Sequence, residues 1–339
     1  EEYWYSRSNT TGRKDCIHPS LSEINSALTT TQITAGTSAR QGLRSWIGRV
    51  NYSAFDRYLM ELNCRVDGSS KFLKGHRYGF FPSASLGWRI SEEPFFKDSA
   101  LSFINQLKIR ASYGVLGDDN SMNYEWISGY TFRGGETAGD GKGWHQGYAP
   151  GYMFNGNFVY SVDPSSLPNQ NITWLRSTTF NIGADFEAWR GKLGASFDYF
   201  QRIRRGIFSR NSVGLPTIVG ASAPYENLDS DSHLGLELEL YHKNKVGEFS
   251  YEVKTMMSVT RQKHLVASQN GGYGNSYDKW RHDNLNNRYQ GVQFGYEAAG
   301  RYESWEDIWS YDIYKENNLL PGDYKYLDWN GDGEINGYD

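Results

Sequence analysis

The stretch from Leu327 to Asp339, LDWNGDGEINGYD, places oxygen-bearing side chains at the spacing of an EF-hand calcium loop. Counting from Asp328, Asn330 and Asp332 take the third and fifth positions and Gly333 the sixth. Glu334 takes the seventh through its backbone carbonyl, and Asp339 takes the twelfth. Hard oxygen ligands in that order suit Ca2+, although Asp at the last position is shorter than the usual Glu and weakens bidentate coordination. A calcium sensor also needs a helix on each side, and PGDYKY precedes this loop. The expected chemistry is therefore a structural calcium that pins a surface loop. The plainer alternative is an Asp/Asn/Gly turn that needs no ion. No other cofactor is required.

A second group lies between Gly117 and Trp174, where GYTFRGG and GWHQGYAPGYMF combine glycines with Tyr130, Trp144, Tyr148, Tyr152 and Phe154. Such faces suit sugar rings or a lid protein, or else pack a long loop onto itself. A basic run, Arg202, Arg204 and Arg205, could pair lipid phosphates or stand solvated. GDGKG at 139–143 has the glycines of a phosphate loop but neither a preceding strand nor the Lys-Ser/Thr ending, and reads as a flexible loop. There is no His-Glu-x-x-His and no Gly-x-Ser-x-Gly, and the seven histidines are scattered, so the chain is not read as an enzyme. The sequons at Asn51 and Asn171 carry no function, and Cys16 and Cys64 support neither a disulfide framework nor a thiolate site.

The elements that position these groups are strands. The chain holds 25 Tyr, 17 Phe, 11 Trp and 37 Gly against 9 Pro, with a mean hydropathy of −0.68, a composition that favours strands and turns. Its 35 basic and 39 acidic residues are spread along the chain, which gives no footprint for nucleic acid. RYLMELNCRVD alternates Tyr58, Met60, Leu62, Cys64 and Val66 with Glu61, Asn63, Arg65 and Asp67. Period two recurs in FFPSASLGWRI, QLKIRASYGV, TFNIGADFEA, KLGASFDYF, LGLELELY and FSYEVKTMMSV, and more weakly at Ser45 to Tyr52. These make about eight strands of about nine to twelve residues, long enough for a tilted membrane span. Short links at 53–56, 91–105, 188–191 and 242–248 take turns with longer ones, as in an up-and-down outer-membrane barrel. A soluble sandwich would alternate too, but rows such as Glu61, Asn63, Arg65 and Asp67 suit a hydrated lumen better.

Specific strings go further. IGRVNYSAFDRYLMELNCRVDGSSKF, RYGFFPSASLGWRISEEPFF, LKIRASYGVLGDDN, ITWLRSTTFNIGADF, FDYFQR, GLELEL and PGDYKYLDWNGDGEI, in that order, resemble the SusC/RagA-type TonB-dependent outer-membrane transporters. The resemblance covers Trp46 to Asp339, with Asn169-Gln170 and Trp174-Leu175 departing from the usual pattern in a loop. It implies an all-β chain that forms part of a large antiparallel transmembrane β-barrel, about eight of 22 strands in that family, with long extracellular loops. On this reading residues 1–44 are a loop or leading barrel segment, and 45–261 are barrel strands carrying the extracellular loop 117–174. Residues 262–339 are a long extracellular loop, and the plug and barrel ends lie outside the chain. The resemblance further implies energised import of oligosaccharides or peptides across the cell outer membrane. The partners would be a SusD-like lipoprotein, the TonB system and the membrane lipid. The alternatives are a non-energised carbohydrate-binding surface protein and a passive porin.

Overall fold

The computed structural model describes residues 2–12, 33–99, 101, 103–119, 124–132, 151–160, 162–164, 167–211, 215–268, 273, 276–311 and 318–339. Strands β1 Glu2–Gly12, β2 Ile33–Ala54, β3 Tyr58–Ser69, β4 Tyr78–Arg89 and β5 Ile104–Asp118 come first. Four short strands follow: β6 Tyr130–Phe132, β7 Gly151–Phe154, β8 Asn157–Tyr160 and β9 Val162–Pro164. Then come β10 Leu175–Ala188, β11 Leu193–Arg210, β12 Tyr225–Val246 and β13 Phe249–Val266, and near the end the short β14 Ala298–Arg301 and β15 Tyr324–Tyr326. Three short helices, α1 Pro94–Lys97, α2 Tyr277–Asp283 and α3 Trp305–Ser310, lie in the connections.

Nine of the strands form one antiparallel sheet in the order β1-β2-β3-β4-β5-β10-β11-β12-β13. The remaining six pair off as β6 with β9, β7 with β8 and β14 with β15. The sheet differs from the sequence expectation in two respects. It has a ninth strand, β1, inside the segment read as a loop or leading segment, and its strands run from 11 to 22 residues rather than nine to twelve. The extra length lies in polar stretches such as TAGTSARQG of β2 and NLDSDS of β12, where no apolar row advertises a strand.

The tight turns between strands of the nine-stranded sheet fall at one rim. Phe55 and Asp56 have φ of 53° and 56°, and Arg57 N–H donates to Ala54 O at 3.0 Å, the hairpin geometry that matches strand twist. At the β12–β13 turn Gly247 takes φ 62° in the first central position, where a side chain would be strained. The β10–β11 connection turns at Trp189 and Arg190, both at positive φ.

Register aligns like with like. One row runs Tyr52, Met60, Leu86, Ala111, Ile182, Tyr199, Leu236 and Val259 across eight strands. A neighbouring row on the same face runs Tyr58, Trp88, Ile109, Ala184, Phe197, Leu238 and Met257. The row between them, on the opposite face, holds Leu59, Gly87, Arg110, Gly183, Asp198, Glu237 and Ser258. The sheet thus has an apolar face and a polar one.

Among the described residues, almost nothing covers the apolar face. Among the described residues only nine apolar side chains are buried, while Tyr52, Leu86, Ile182, Leu236 and Val259 stay exposed. The accessible surface is 24356 Å², against about 14,000 Å² for a compact monomer of this mass. A sandwich in water would bury these rows, whereas a barrel in lipid presents them outward. Aromatic rings also close gaps within the wall. Tyr78 lies over its cross-strand partner Gly68, Tyr241 over Gly194 and Phe200 over Gly235.

Candidate functional site

The polar face is cross-linked by charge. Arg110 on β5 donates through Nη1 and Nη2 to both oxygens of Asp198 at 2.7 and 2.5 Å, through Nε to Asp185 at 3.2 Å and through Nη2 to Ser196 at 3.2 Å. Ser196 in turn donates to Asp185 at 2.9 Å. Arg49 meets Asn63 at 2.7 Å and Glu61 at 3.4 Å, Arg65 meets Asp67 at 2.6 Å, and Lys254 meets Glu239 at 2.7 Å. Nearer the long-loop rim, the buried Asp231 accepts from Arg204 and, at 3.0 Å, from Gln262. A wall lined this way tolerates water and polar solutes.

The short-turn rim is held by Glu93, which precedes α1. Its carboxylate is buried and accepts from Tyr58 Oη at 2.6 Å, Trp88 Nε1 at 3.0 Å and Arg57 Nη1 at 3.0 Å. The Tyr58 hydroxyl above all, then the Trp88 indole and the Arg57 guanidinium, holds the Glu93 carboxyl below its ordinary range. A carboxyl with a depressed folded pKa contributes its stability in full above the ordinary carboxylate range, and that stability is lost as pH falls through the folded value. We expect the urea midpoint of the wild-type protein to drop with acidification in that window, and Glu93→Gln to be less stable at neutral pH with a flatter profile. Equal pH slopes in the two proteins would assign the acid sensitivity elsewhere.

The long-loop rim also holds an apolar cluster. Phe72, Phe81, Ile172 and Trp174 form a buried cluster, with Val115, Phe208 and Tyr225 against it. Trp174 lies 5.4 Å from the rings of Phe72 and of Phe81, and its Nε1 donates to Arg77 O at 2.9 Å. A Cβ added at Gly117 would fall 2.0 Å from Phe81 Cζ, so the glycine lets that ring reach the cluster. Asn227 fastens the adjoining segment, accepting from Thr173 N at 3.0 Å and donating to Thr173 O and Gly206 O at 2.9 Å.

Of the five aromatic residues expected in the loop 117–174, the structure describes the side chains of Tyr130 and Phe154. Tyr130 lies exposed on β6, opposite Pro164, and Phe154 lies exposed at the end of β7 in a different hairpin. Tyr152 pairs through its backbone with Val159. Trp144 and Tyr148, like GDGKG at 139–143, lie outside the described residues. Sequence reasoning missed Trp305 and Trp309, which stand exposed on α3 with ring centroids 6.2 Å apart. The signal was available: Ser304 caps Asp307 N–H while Asp307 reaches back to Glu303 N–H, which marks a helix start that places positions 305 and 309 on one face.

The calcium-like loop is stitched by its own backbone. Asp328 accepts from the N–H groups of Gly331 at 2.6 Å, Asp332 at 3.2 Å and Gly333 at 2.8 Å, and the Gly333 bond most of all keeps its carboxyl below the ordinary range. Asn330 accepts from Asp332 N–H and Asp332 from Glu334 N–H, both at 2.9 Å, and Asp339 accepts from Asn336 N–H at 2.6 Å. Among the described residues no three His, Cys, Asp or Glu side chains converge as a metal centre.

The basic run divides. Arg202 falls on the polar face, in register with His233, and Arg204 there is engaged by Asp231, whereas Arg205 points to the apolar side.

A sequence model of the β-barrel of TonB-dependent receptor-like proteins matches residues 3–339. The chain belongs to the TonB-dependent receptor β-barrel family. Within it, TonB-dependent receptor SusC of Bacteroides thetaiotaomicron is 30% identical over 310 residues, covering 89% of this chain and 28% of that receptor. TonB-dependent receptor P39 of Formosa agariphila is 31% identical over 211 residues, covering 62% of this chain and 18% of that receptor. The chain therefore spans less than a third of the length of these curated relatives. A solved structure of the RagAB peptide importer in its closed-closed state superposes with a TM-score of 0.63 at 19% identity, over 78% of this chain and 27% of that one. That likeness speaks to the fold, and it agrees with this sheet being part of a receptor barrel's wall. The apolar rows are then the wall's membrane face. From Tyr58 to Val66 on β3 is eight residue steps, about 27 Å along the strand and about 21 Å in depth at a tilt of about 40°, close to the ~25 Å band of such barrels.

Proposed function

We propose that this chain forms part of the wall of an outer-membrane importer that draws on the TonB system and takes up oligosaccharides or peptides with a SusD-like lipoprotein. The observation that carries this reading is the two-faced wall, with apolar rows against lipid and the Arg110, Asp185, Asp198 and Ser196 network toward a hydrated interior, in a chain of the TonB-dependent receptor family. The peptide class is supported by the fold shared with the RagAB peptide importer, while the oligosaccharide class and the lipoprotein rest on the resemblance of the sequence blocks to SusC/RagA-type transporters. The short-turn rim faces the periplasm and the long-loop rim the exterior. Trp305 and Trp309, with Tyr130 and Phe154, offer exposed aromatic faces on that outer side. The test is growth of a strain lacking the gene on a panel of oligosaccharides and peptides as sole nutrients, beside a strain lacking TonB. Loss of growth on the same substrates in both supports energised import. Growth that needs the gene but not TonB supports a passive pore, and surface binding without uptake supports a carbohydrate-binding module.

A calcium ion at Asp328, Asn330, Asp332, Glu334 and Asp339 is a separable part of the proposal. It is supported by the order of oxygen ligands, and by Asp339 Oδ1, which is shielded without a hydrogen-bond partner. Because the turn closes on its own hydrogen bonds, the ion would tighten it without being needed to form it. Calorimetry on the folded full-length protein should register binding at millimolar calcium and lose it in Asp328→Ala. Absence of heat in the wild type removes the ion.

A further inference from the structure

Arg176 on β10 and Arg205 on β11 are direct cross-strand partners, so their side chains leave the same side of the sheet. That side is the apolar one, because the same parity carries Thr178 with Ile203, Phe180 with Gln201, and Ile182 with Tyr199. Like charges directly opposite one another destabilise a sheet unless something offsets them. Among the described residues neither guanidinium has a hydrogen bond or an ion pair, and both are exposed. Two strands further along, Arg261 and Lys263 of β13 leave the same face, opposite Leu234 and Ser232. Both lie against the ring of Tyr289, with Arg261 Cζ 4.1 Å and Lys263 Nζ 5.6 Å from its centroid.

Between the two pairs, β12 presents only the small hydroxyls of Ser230 and Ser232. The other members of these three rows are Gly117, Val115 and Tyr113 of β5 with Thr178, Phe180, Ile203, Gln201, Leu234 and Val266, so no acidic side chain stands in them from β5 to β13. The polar face at the same level is balanced differently, since Arg204 there is matched by Asp231. The level is also informative. Arg176, Arg205 and Arg261 each stand twelve residues from the short-turn end of their strands, at Ala188, Leu193 and Phe249. Twelve steps are about 40 Å along a strand and about 30 Å in depth at a tilt of about 40°, just beyond the apolar band.

We propose that Arg176, Arg205, Arg261 and Lys263 form a binding site for the phosphate groups of an outer-leaflet lipid, whose acyl chains lie on the apolar rows beneath. Guanidinium forks hold phosphate oxygens in pairs, and the opposed Arg176 and Arg205 offer two forks to one group. The phosphate offsets the repulsion that the bare pair would suffer. The serine gap on β12 leaves room for the headgroup between the two sets of cations. This rests on the reading of the apolar face as membrane-exposed, and folding and insertion are therefore scored separately, by heat-modifiable mobility of the full-length protein extracted from the outer membrane.

The test measures binding of lipid A, with and without its phosphates, to that protein in neutral detergent. The wild type should prefer the phosphorylated form, less so as salt is raised, and Arg176→Gln/Arg205→Gln should weaken its binding about tenfold or more. Arg176→Lys/Arg205→Lys, which keeps the charge but loses the forks, should fall between them, and Arg202→Gln on the polar face should bind as wild type. Equal binding of both lipid forms, an unaltered glutamine double variant, or loss of binding in Arg202→Gln would each overturn the site. Failure of the wild type to insert would instead overturn the membrane reading beneath it.

Discussion

Replacing Trp174 with alanine is expected to destabilise the folded barrel by about 3–5 kcal/mol, the range for emptying a buried aromatic site. The indole is one of the few apolar side chains in this wall with neighbours on every side. It touches the rings of Phe72 and Phe81, and it caps the Arg77 carbonyl. The cluster joins the segment after β3, the outer part of β4 and the approach to β10, so its loss loosens three strands together. Trp174→Phe keeps ring contacts and loses the hydrogen bond, for a cost nearer 1 kcal/mol. Urea titration of the full-length protein, followed by loss of heat-modifiable mobility, separates the two. If both variants unfold at the wild-type midpoint, the cluster packs the rim without contributing to the wall's stability.

Arg110→Ala should cost about 1–3 kcal/mol, below the figure for a fully buried pair because Arg110 and its two aspartates keep contact with solvent. The loss is more than that of attraction. Asp185 and Asp198 sit on adjacent strands and share one guanidinium, so removing it leaves two carboxylates repelling each other across β10 and β11. Arg110→Lys restores the charge but not the two-pronged contact with Asp198, and should recover only part of the stability. Arg110→Ala/Asp185→Asn/Asp198→Asn should recover most of it, because no unpaired charge is left behind. A triple variant as unstable as the single one would show that the network is needed for its geometry and not for charge balance.

How far these features can be read in the amino-acid order follows from physics. RYLMELNCRVD and LGLELELY announce strands because one face meets lipid and the other water, which forces period two. β1 and the outer half of β2 do not, since SRSNTTG and TAGTSARQG carry no apolar row. Periodicity gives each strand's two faces but not its register against the next. Arg110 therefore could not be matched with Asp185 and Asp198, 75 and 88 residues away, nor could Arg176 be seen to oppose Arg205. The RIRRG of the β11 sequence suggested three equivalent arginines, and only strand alternation separates Arg204, facing in, from Arg205, facing out. Glu93 was legible as part of SEEPFF but not as a buried acceptor, because its donors converge from two separate places in the chain, Arg57 with Tyr58 and Trp88.

In the nine-stranded sheet each strand pairs with the next long strand in the chain, even across the segment 119–174 between β5 and β10. Every loop on the long-loop rim is then an excursion that leaves and returns to neighbouring posts of one fence. Doubling the length of such an excursion adds only about 0.6 kcal/mol of closure entropy and alters no pairing on either side. Outer loops can accordingly be lengthened, shortened or exchanged over evolutionary time while the fence stands unchanged, so two relatives with nearly superimposable walls can diverge in what they admit.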